Sequence, residues 1–305
     1  MKCLILAAGY ATRLYPLTKN FPKPLLKIKD KAILDWLIDD IKTSGAIDEY
    51  VVITNHKFAA HFLDWAAGRP DDKITVVDDG TVTNETRLGA VRDIQFAIDS
   101  LGIDDDMLVI AGDNVLDFSL VRFIEYARAK GTSCIMRFFE PSEQRLRKCG
   151  VVEVSSEDLV LGMEEKPSEP RSHWCCPPFY YYTRKDASLI SAGITAGCGT
   201  DAPGSYIAWL STQTPVHAME MPGHRYDIGN LESYHTVCEQ YDGIQPTATK
   251  CLVSILTDED NRVGGKRSGF LSTFVFRPLT PPYVRFRIRR FLILRAIFPA
   301  ARARR

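Results

Sequence analysis

The chain opens with Leu4-Ile-Leu-Ala-Ala-Gly-Tyr-Ala-Thr-Arg-Leu-Tyr-Pro-Leu-Thr18, and Pro22-Lys-Pro-Leu25 follows closely. The apolar run from Cys3 to Ala8 predicts a buried strand, which ends at a glycine in a loop of small residues. A loop of this kind lets backbone N–H groups approach an anion closely. Arg13 adds a planar fork of donors and Lys23 a compact positive charge. The stretch therefore predicts a site for a triphosphate.

Two other phosphate-binding loops do not fit this stretch. A dinucleotide-binding loop of the form G-x-G-x-x-G would need two more glycines after Gly9, where the chain has Ala11 and Leu14. A Walker A loop would need Gly-Lys-Ser/Thr after four spacer residues, and that sequence is missing here. The remaining alternative is an ordinary strand–turn–helix connection with no ligand.

Apolar periodicity predicts an α/β fold with a Rossmann-like, mostly parallel mixed sheet flanked by helices. The helix expected at 32–42 is followed by strands at 50–54 and 73–77. Further along, Asp117 is expected to cap a helix over 118–130, and 177–182 to form an edge or entry strand. Hairpin-like runs after about residue 136 predict a small β-rich insertion.

A second strong signal is the run Met107-Leu-Val-Ile-Ala-Gly-Asp113. This pattern predicts a short buried strand that carries a carboxylate at its carboxyl end, where open α/β sheets bind ligands. Mg²⁺ prefers one or two carboxylates together with phosphate oxygens and water. Asp113 is therefore the first candidate metal ligand, and a solvated aspartate at a strand end is the alternative.

Taken together, these residues resemble the sugar-1-phosphate nucleotidyltransferases (nucleotide-sugar pyrophosphorylases), whose signature is L-A-A-G-x-G-T-R-L-x-P-L-T followed by P-K-P. The resemblance covers residues 1 to about 242, is nearest to glucose-1-phosphate thymidylyltransferase-like members, and implies the nucleotide-diphospho-sugar transferase fold. One departure is Ala11 at the second glycine position. Alanine tolerates a positive φ poorly, so this loop either keeps φ negative there or carries slight strain.

The resemblance implies a role for individual residues of this chain. Those expected to bind the nucleotide are Leu6, Ala7, Ala8, Gly9, Asn84, Leu88 and Gly89. Those expected to bind the sugar phosphate are Gly150, Glu165 and Lys166, with Arg13, Lys23 and Lys166 as the catalytic cations. Asp227, in Arg225-Tyr-Asp-Ile-Gly-Asn230, would share one Mg²⁺ with Asp113. The match around Asn84 is looser, since Arg87 replaces the usual proline, and a plain polar loop also explains that segment.

The implied reaction moves a nucleoside monophosphate from an NTP, with dTTP or UTP favoured, to a sugar-1-phosphate, and releases pyrophosphate. CTP and GTP users share most of these residues, and a phosphocholine-type cytidylyltransferase stays open. Another class of protein, a non-catalytic subunit that only binds nucleotide-sugars, would not need both Asp113 and Asp227. Glu165 and Lys166 are neighbours, so the pair must lie at a strand end or in a twisted part of the strand if both are to face one ligand.

The zero net charge of the 305 residues hides a sharp division. The first 260 residues carry 26 basic and 38 acidic side chains, whereas residues 261–305 hold eleven arginines, one lysine and no acid. An acidic body predicts no nucleic-acid partner. The basic, partly amphipathic tail leaves open contact with a membrane surface, disorder, or an appended sequence with no selected role. A homo-oligomer is equally open.

These patterns predict one nucleotidyltransferase domain over 1–242, with a nucleotide-binding half (1–135) and a sugar-phosphate-binding half (136–242). Residues 243–305 form a C-terminal extension. Eight scattered cysteines without C-x-x-C spacing indicate a reduced, cytoplasmic compartment.

Overall fold

The computed structural model describes residues 1–245, which contain fourteen strands, nine α-helices and two short 3₁₀ helices. The strands are β1 Lys2–Leu6, β2 Lys27–Ile28, β3 Lys31–Ala32, β4 Glu49–Thr54, β5 Ile74–Asp78, β6 Met107–Ala111, β7 Val115–Leu116, β8 Ser133–Phe139, β9 Gly150–Val154, β10 Val160–Glu165, β11 Trp174–Cys176, β12 Phe179–Tyr182, β13 Val216–Glu220 and β14 Arg225–Tyr226. The helices are α1 Ile33–Lys42, α2 His56–Ala67, α3 Ala90–Leu101, α4 Val121–Lys130, α5 Glu143–Leu146, α6 Arg184–Ala187, α7 Ile190–Thr195, α8 Gly204–Leu210 and α9 Leu231–Gln240.

One ten-stranded sheet organises the molecule, in the order β10-β9-β11-β8-β12-β6-β1-β4-β5, with β13 paired to β8. Around β1 the sheet is parallel, because β1 pairs in parallel with β4 and β6, and β4 with β5. Beyond β6 the pairs through β12, β11, β9 and β10 are antiparallel. The predicted α/β fold, with a mixed sheet and a β-rich second half, is confirmed.

Both faces of the sheet are covered, as the unbroken apolar run of β1 requires. Cys3 and Ile5 belong to a core shared with α1, α2 and α4, whereas Leu4 belongs to a core on the other face with α3, α7 and α8. Successive side chains on a strand point to opposite faces. A strand that lies between two helical layers is buried on both faces and therefore has an apolar run instead of an apolar–polar alternation. This burial fixes β1 at the centre and aims its carboxyl end at the loop that follows.

Two of the predicted elements differ from the structure. The helix expected over 118–130 is α4, which begins at Val121, and Asp117 does not cap it. The Asp117 carboxylate instead accepts the backbone N–H of His224 at 2.7 Å, so a long-range contact takes the acceptor that a cap would use. The segment expected as an edge strand lies inside the sheet as β12, between β6 and β8, because its two prolines precede the strand.

No helix within residues 1–245 is long and apolar enough to cross a membrane. The basic tail, and with it the questions of membrane contact and of the C-terminal extension beyond residue 245, lies outside the described residues.

Candidate active site

Two side-chain hydrogen bonds fix the loop after β1. The Asn55 amide donates to the Ala8 carbonyl at 2.9 Å, and the Thr18 hydroxyl donates to the Ala11 carbonyl at 2.7 Å. Among residues 1–245, the backbone N–H groups of Gly9, Tyr10 and Ala11 find no acceptor, and a Cβ at Gly9 would meet no atom within 4 Å. Free backbone N–H groups of this kind are available to bind an anion.

Ala11 resolves the question raised by its glycine-like position. Its φ is +45°, in the left-handed region, so the loop carries the strain that an alanine adds there. Ala11 leads into a single 3₁₀ turn, Thr12–Leu14, which presents Arg13 to solvent. Within the described chain the Arg13 guanidinium makes no hydrogen bond or ion pair, so its whole donor fork is available.

Lys23 and Asp113, two predicted site residues ninety positions apart, form an ion pair. The Lys23 ammonium lies 2.8 Å from Asp113 Oδ2, at the carboxyl end of β6. Burial opposes ionisation of Asp113, but the charges of Lys23 and Arg225 outweigh it and hold its pKa below the usual value. Asp113 is therefore ionised at neutral pH, and 43% of its side chain is still exposed to a ligand.

These groups line one cavity of about 350 Å³. Eight of the predicted site residues lie in its wall, namely Leu6, Ala7, Ala8, Gly9, Arg13, Lys23, Gly89 and Asp113. Asn84, Leu88, Gly150, Glu165, Lys166 and Asp227 lie outside this wall, although Ile228 and Gly229, next to Asp227, belong to it. The structure thus brings together the phosphate loop, both cations of the first segment and one carboxylate.

Gly89 allows the start of α3 to lie very close to the 200–201 segment beside the cavity. Its φ is +92°, and a Cβ there would lie 2.5 Å from the Thr200 carbonyl oxygen. The N–H groups of Ala90 and Val91, at the start of α3, donate to the carbonyls of Asp201 and Thr200 at 3.1 and 3.0 Å. Arg87 adds an ion pair with Asp201 at 2.8 Å. Two chain segments 110 residues apart are thereby joined beside the cavity.

Glu165 is packed between two glycines, at the end of β10. A Cβ on Gly150 would lie 3.0 Å from Glu165 Oε1, and one on Gly204 would lie 2.1 Å from it. Burial raises the pKa of Glu165, although the Lys166 charge and the Gly204 N–H oppose this. Lys166 follows with φ +50° and an exposed side chain, so the predicted strand end is confirmed. Gly204 is adjacent to Pro203, a residue of the cavity wall.

Asp93 is a cavity residue that the sequence analysis did not identify. It lies on α3 and is 6% exposed, and its Oδ1 has no hydrogen-bond partner within residues 1–245. Burial, together with the negative charge of Asp79, raises the pKa of Asp93 to about 7. A signal was present in the sequence: Asp93 interrupts the apolar stripe of α3, where Ile94 and Ala97 are buried.

We expect Asp93→Asn to stabilise the ligand-free protein more at pH 8 than at pH 5, by on the order of 2 kcal/mol. The folded-state pKa lies above the unfolded one, so the wild-type protein loses stability as the pH rises from about 4 to about 7. The amide carries no charge and escapes this loss. Urea unfolding at both pH values measures the difference. Asp99→Asn changes an exposed residue on the same helix and should alter the free energy of unfolding equally at pH 5 and pH 8. An Asp93→Asn variant whose effect on that free energy is also equal at the two pH values would contradict the expectation.

Arg225 is a second residue that the sequence analysis did not place in the site. Its Nη1 donates to Asn114 Oδ1 at 3.3 Å, and its charge helps to keep Asp113 ionised. β14 positions it by pairing with β7, which follows Asn114 directly. Its contact is made over 111 residues of sequence, so no local pattern could have indicated it.

The carboxylates present are compatible with a magnesium ion that also takes phosphate oxygens. Within residues 1–245, no three side chains of the usual metal-binding types cluster closely enough to hold an ion alone. Mg²⁺ does not require such a cage, because it binds through one or two carboxylates plus substrate phosphates. Asp113 is ionised and partly exposed. Asp227 is exposed and directly precedes Ile228 and Gly229, which belong to the cavity wall.

Known proteins resemble this chain over most of its length. The family model "Nucleotidyl transferase" matches residues 2–243. A glucose-1-phosphate thymidylyltransferase of Streptomyces griseus is 27% identical over 288 residues, which cover 88% of this chain and 76% of that enzyme. A UTP–glucose-1-phosphate uridylyltransferase of Synechocystis is 24% identical over 77% of this chain, which spans only 61% of that protein.

A solved structure supports the fold. UDP-glucose pyrophosphorylase, crystallised with UDP-glucose, superposes with a TM-score of 0.66 over 79% of this chain and 97% of that one, at 18% identity. The resemblance drawn from the opening stretch is confirmed by the family match, as are its expectations of an enzyme and of a Rossmann-like fold. This chain belongs to the nucleotidyl transferase family.

Proposed function

We propose that this protein transfers a nucleoside monophosphate from an NTP to a sugar-1-phosphate and releases pyrophosphate. dTTP or UTP is the favoured nucleotide and glucose-1-phosphate the first sugar phosphate to test. The observation that carries the proposal is the Lys23–Asp113 contact at 2.8 Å in the wall of a cavity that also holds the Gly9 loop and Arg13. Two relatives that act on glucose-1-phosphate, by their names, support the choice of substrate class.

The reaction needs no covalent enzyme intermediate. An oxygen of the sugar phosphate attacks the α-phosphorus of the NTP, and the bond from that phosphorus to the bridging oxygen of the β-phosphate breaks. The pyrophosphate leaves with the electron pair. Catalysis then rests on holding the two phosphates in line and stabilising their charge.

Five charged side chains have an assigned part in this proposal. Arg13, with its free donor fork, holds the leaving pyrophosphate, and Lys23 holds the α-phosphate. Lys166 binds the incoming sugar phosphate. A Mg²⁺ ion bound by Asp113 and Asp227, when present, supplies neutralisation of phosphate charge. The free N–H groups of the Gly9 loop add further donors to the phosphates.

The same proposal assigns one substrate to each half of the domain. Residues 1–135 bind the nucleotide, since they supply the Gly9 loop, Lys23, Gly89 and Asp113. Residues 136–242 bind the sugar phosphate, since they supply β9 and β10 with Gly150, Glu165 and Lys166. The hydrogen bonds from the start of α3 to the carbonyls of Thr200 and Asp201 join the two halves.

Pyrophosphate release with Mg²⁺, across a grid of NTPs and phosphorylated acceptors, tests the function. A sugar-1-phosphate paired with dTTP or UTP should give turnover. Turnover only with CTP and phosphocholine would replace the proposal by the cytidylyltransferase alternative. Silence across the grid, with nucleotide-sugar binding still measurable by calorimetry, would favour the non-catalytic binding subunit.

Glu165→Gln should raise the KM for the sugar phosphate by about tenfold to a hundredfold and change kcat much less. The carboxylate is fixed between Gly150 and Gly204, where it can accept sugar hydroxyls, whereas half of an amide presents a donor. Steady-state kinetics in the sugar phosphate measures the effect. Glu164→Gln, the exposed neighbour on the same strand, serves as control. An unchanged KM in Glu165→Gln would remove this residue from the sugar site.

A further inference from the structure

Two cysteines lie together where β9 begins, next to the residues predicted to bind the sugar phosphate. Cys175 belongs to a small buried cluster with Leu146 and Val151, and Cys149 packs against this cluster. The pairing of β9 with β11 places Val151 opposite Cys175. Side chains two positions apart on an extended chain point to the same side, so Cys149 lies on the same side as Val151 and Cys175. Both thiols are free.

The next cysteine along the chain, Cys176, faces the opposite side of β11. It belongs to the core on the other face of the sheet, with Val152 and Tyr180. This difference follows from the alternation of side chains along a strand. Of the two adjacent cysteines on β11, Cys175 is therefore the one that shares a cluster with Cys149.

Cys149 has the properties of a reactive thiol. It is partly exposed, whereas Cys175 is buried. A hydrogen bond with the Cys175 thiol lowers the pKa of Cys149. The positive charge of Arg225 acts in the same direction, while burial and two nearby glutamates oppose it. Because the thiolate is the form that attacks an oxidant, Cys149 is the member of the pair that reacts first.

We propose that Cys149 and Cys175 form a site of reversible oxidation, at which a hydroperoxide converts the two thiols into a disulfide. The Cys149 thiolate attacks one oxygen of the hydroperoxide and forms a sulfur–oxygen bond. The oxygen–oxygen bond breaks, and the other oxygen leaves with the electron pair and takes up a proton. The Cys175 sulfur then attacks the Cys149 sulfur, and the Cys149 hydroxyl leaves as water with the Cys175 proton. A dithiol reverses the change by disulfide exchange.

The disulfide would act on the predicted sugar-phosphate site through the backbone. The Cys149 carbonyl accepts the backbone N–H of Lys166 at 2.9 Å. Gly150 follows Cys149, and a Cβ there would lie 3.0 Å from Glu165 Oε1, so this segment has little freedom to move without disturbing its neighbours. Drawing the Cys149 sulfur onto Cys175 should therefore displace the groups that bind the sugar phosphate. This consequence, unlike the oxidation itself, rests on the proposed function.

Peptide mapping after treatment with hydrogen peroxide tests the oxidation without any turnover. Trypsin separates the pair, since Cys149 is the only cysteine of peptide 149–171, and Cys175 shares peptide 172–184 with Cys176. With free thiols blocked before digestion, we expect a cross-link between the two peptides that dithiothreitol removes. Cys176→Ser, the matched control, should keep the cross-link, and Cys175→Ser should lose it. A wild-type protein without the cross-link, or a Cys175→Ser protein that keeps it, would overturn the inference.

Dimedone, a reagent that labels sulfenic acids, tests the order of the steps. In Cys175→Ser, where no disulfide can form at this site, peroxide should make peptide 149–171 react with dimedone. A label confined to peptide 172–184 would overturn the assignment of Cys149 as the first thiol to react.

Kinetics in the sugar phosphate test the consequence for the proposed function. Peroxide should raise the wild-type KM for the sugar phosphate by about tenfold, dithiothreitol should restore it, and Cys149→Ser should not respond. A cross-linked protein with an unchanged KM would overturn the link to the sugar site. If no acceptor gives turnover, the proposed function fails, and the mapping still decides whether the oxidation occurs.

Discussion

Asp113→Asn is expected to lower the rate of pyrophosphate release by about a hundredfold to a thousandfold. The carboxylate at the end of β6 is the ionised group that meets Lys23 at 2.8 Å and is the leading candidate to bind Mg²⁺. An amide of the same shape is a poor ligand for Mg²⁺ and leaves Lys23 without its counter-charge. Single-turnover kinetics at saturating Mg²⁺ and NTP separates this loss from weaker substrate binding.

The control for this change is an exposed aspartate with no part in the cavity. Asp64 on α2 is exposed and makes no ion pair among the described residues, so Asp64→Asn should keep the wild-type rate. Melting temperatures of both variants check that the fold is intact. A folded Asp113→Asn protein with a near-wild-type rate would show that the metal and charge roles assigned to Asp113 are wrong.

Arg13→Ala is expected to reduce kcat/KM for the NTP by about two to three orders of magnitude. The guanidinium belongs to the 3₁₀ turn after the Gly9 loop, is exposed, and makes no hydrogen bond or ion pair with residues 1–245, so its removal should cost substrate interactions and little stability. Arg13→Lys should recover only part of the loss, since an ammonium cannot grip two phosphate oxygens in a fixed plane.

Product inhibition by pyrophosphate shows whether Arg13 binds the leaving group or only attracts the NTP by its charge. If Arg13 holds the leaving group, the inhibition constant for pyrophosphate should rise in parallel with the loss in kcat/KM. Arg122→Ala, an exposed change on α4, should alter neither quantity. A normal inhibition constant in Arg13→Ala would assign the pyrophosphate contact to another group.

The sequence predicted those parts of the site that depend on local pattern. The apolar run of β1, the loop of small residues and the strand that ends at Asp113 each carry their own signal, and the sheet brings them together. The prediction for Asp117 was wrong because a distant N–H group, that of His224, competes for its carboxylate. Local preference for a cap could not show that competition.

The residues that escaped prediction are defined by long-range contacts. Arg225 reaches the site only because β14 pairs with β7, and Asp201 only because the start of α3 lies against it. Asp93 differs, since a carboxyl within the apolar stripe of α3 could have been noticed. The roles of all the predicted site residues stay predictions. Six of these residues also lie outside the cavity wall, namely Asn84, Leu88, Gly150, Glu165, Lys166 and Asp227.

The bridge between α3 and the 200–201 segment has a thermodynamic consequence. Gly89 faces the nucleotide side of the cavity, and two residues after Asp201 the chain reaches Pro203 and then Gly204, which contacts Glu165. The nucleotide and sugar-phosphate sites proposed above thus lie along one connected piece of backbone. If a bound nucleotide tightens this piece and raises the affinity for the sugar phosphate by some factor, the sugar phosphate must raise the affinity for the nucleotide by the same factor.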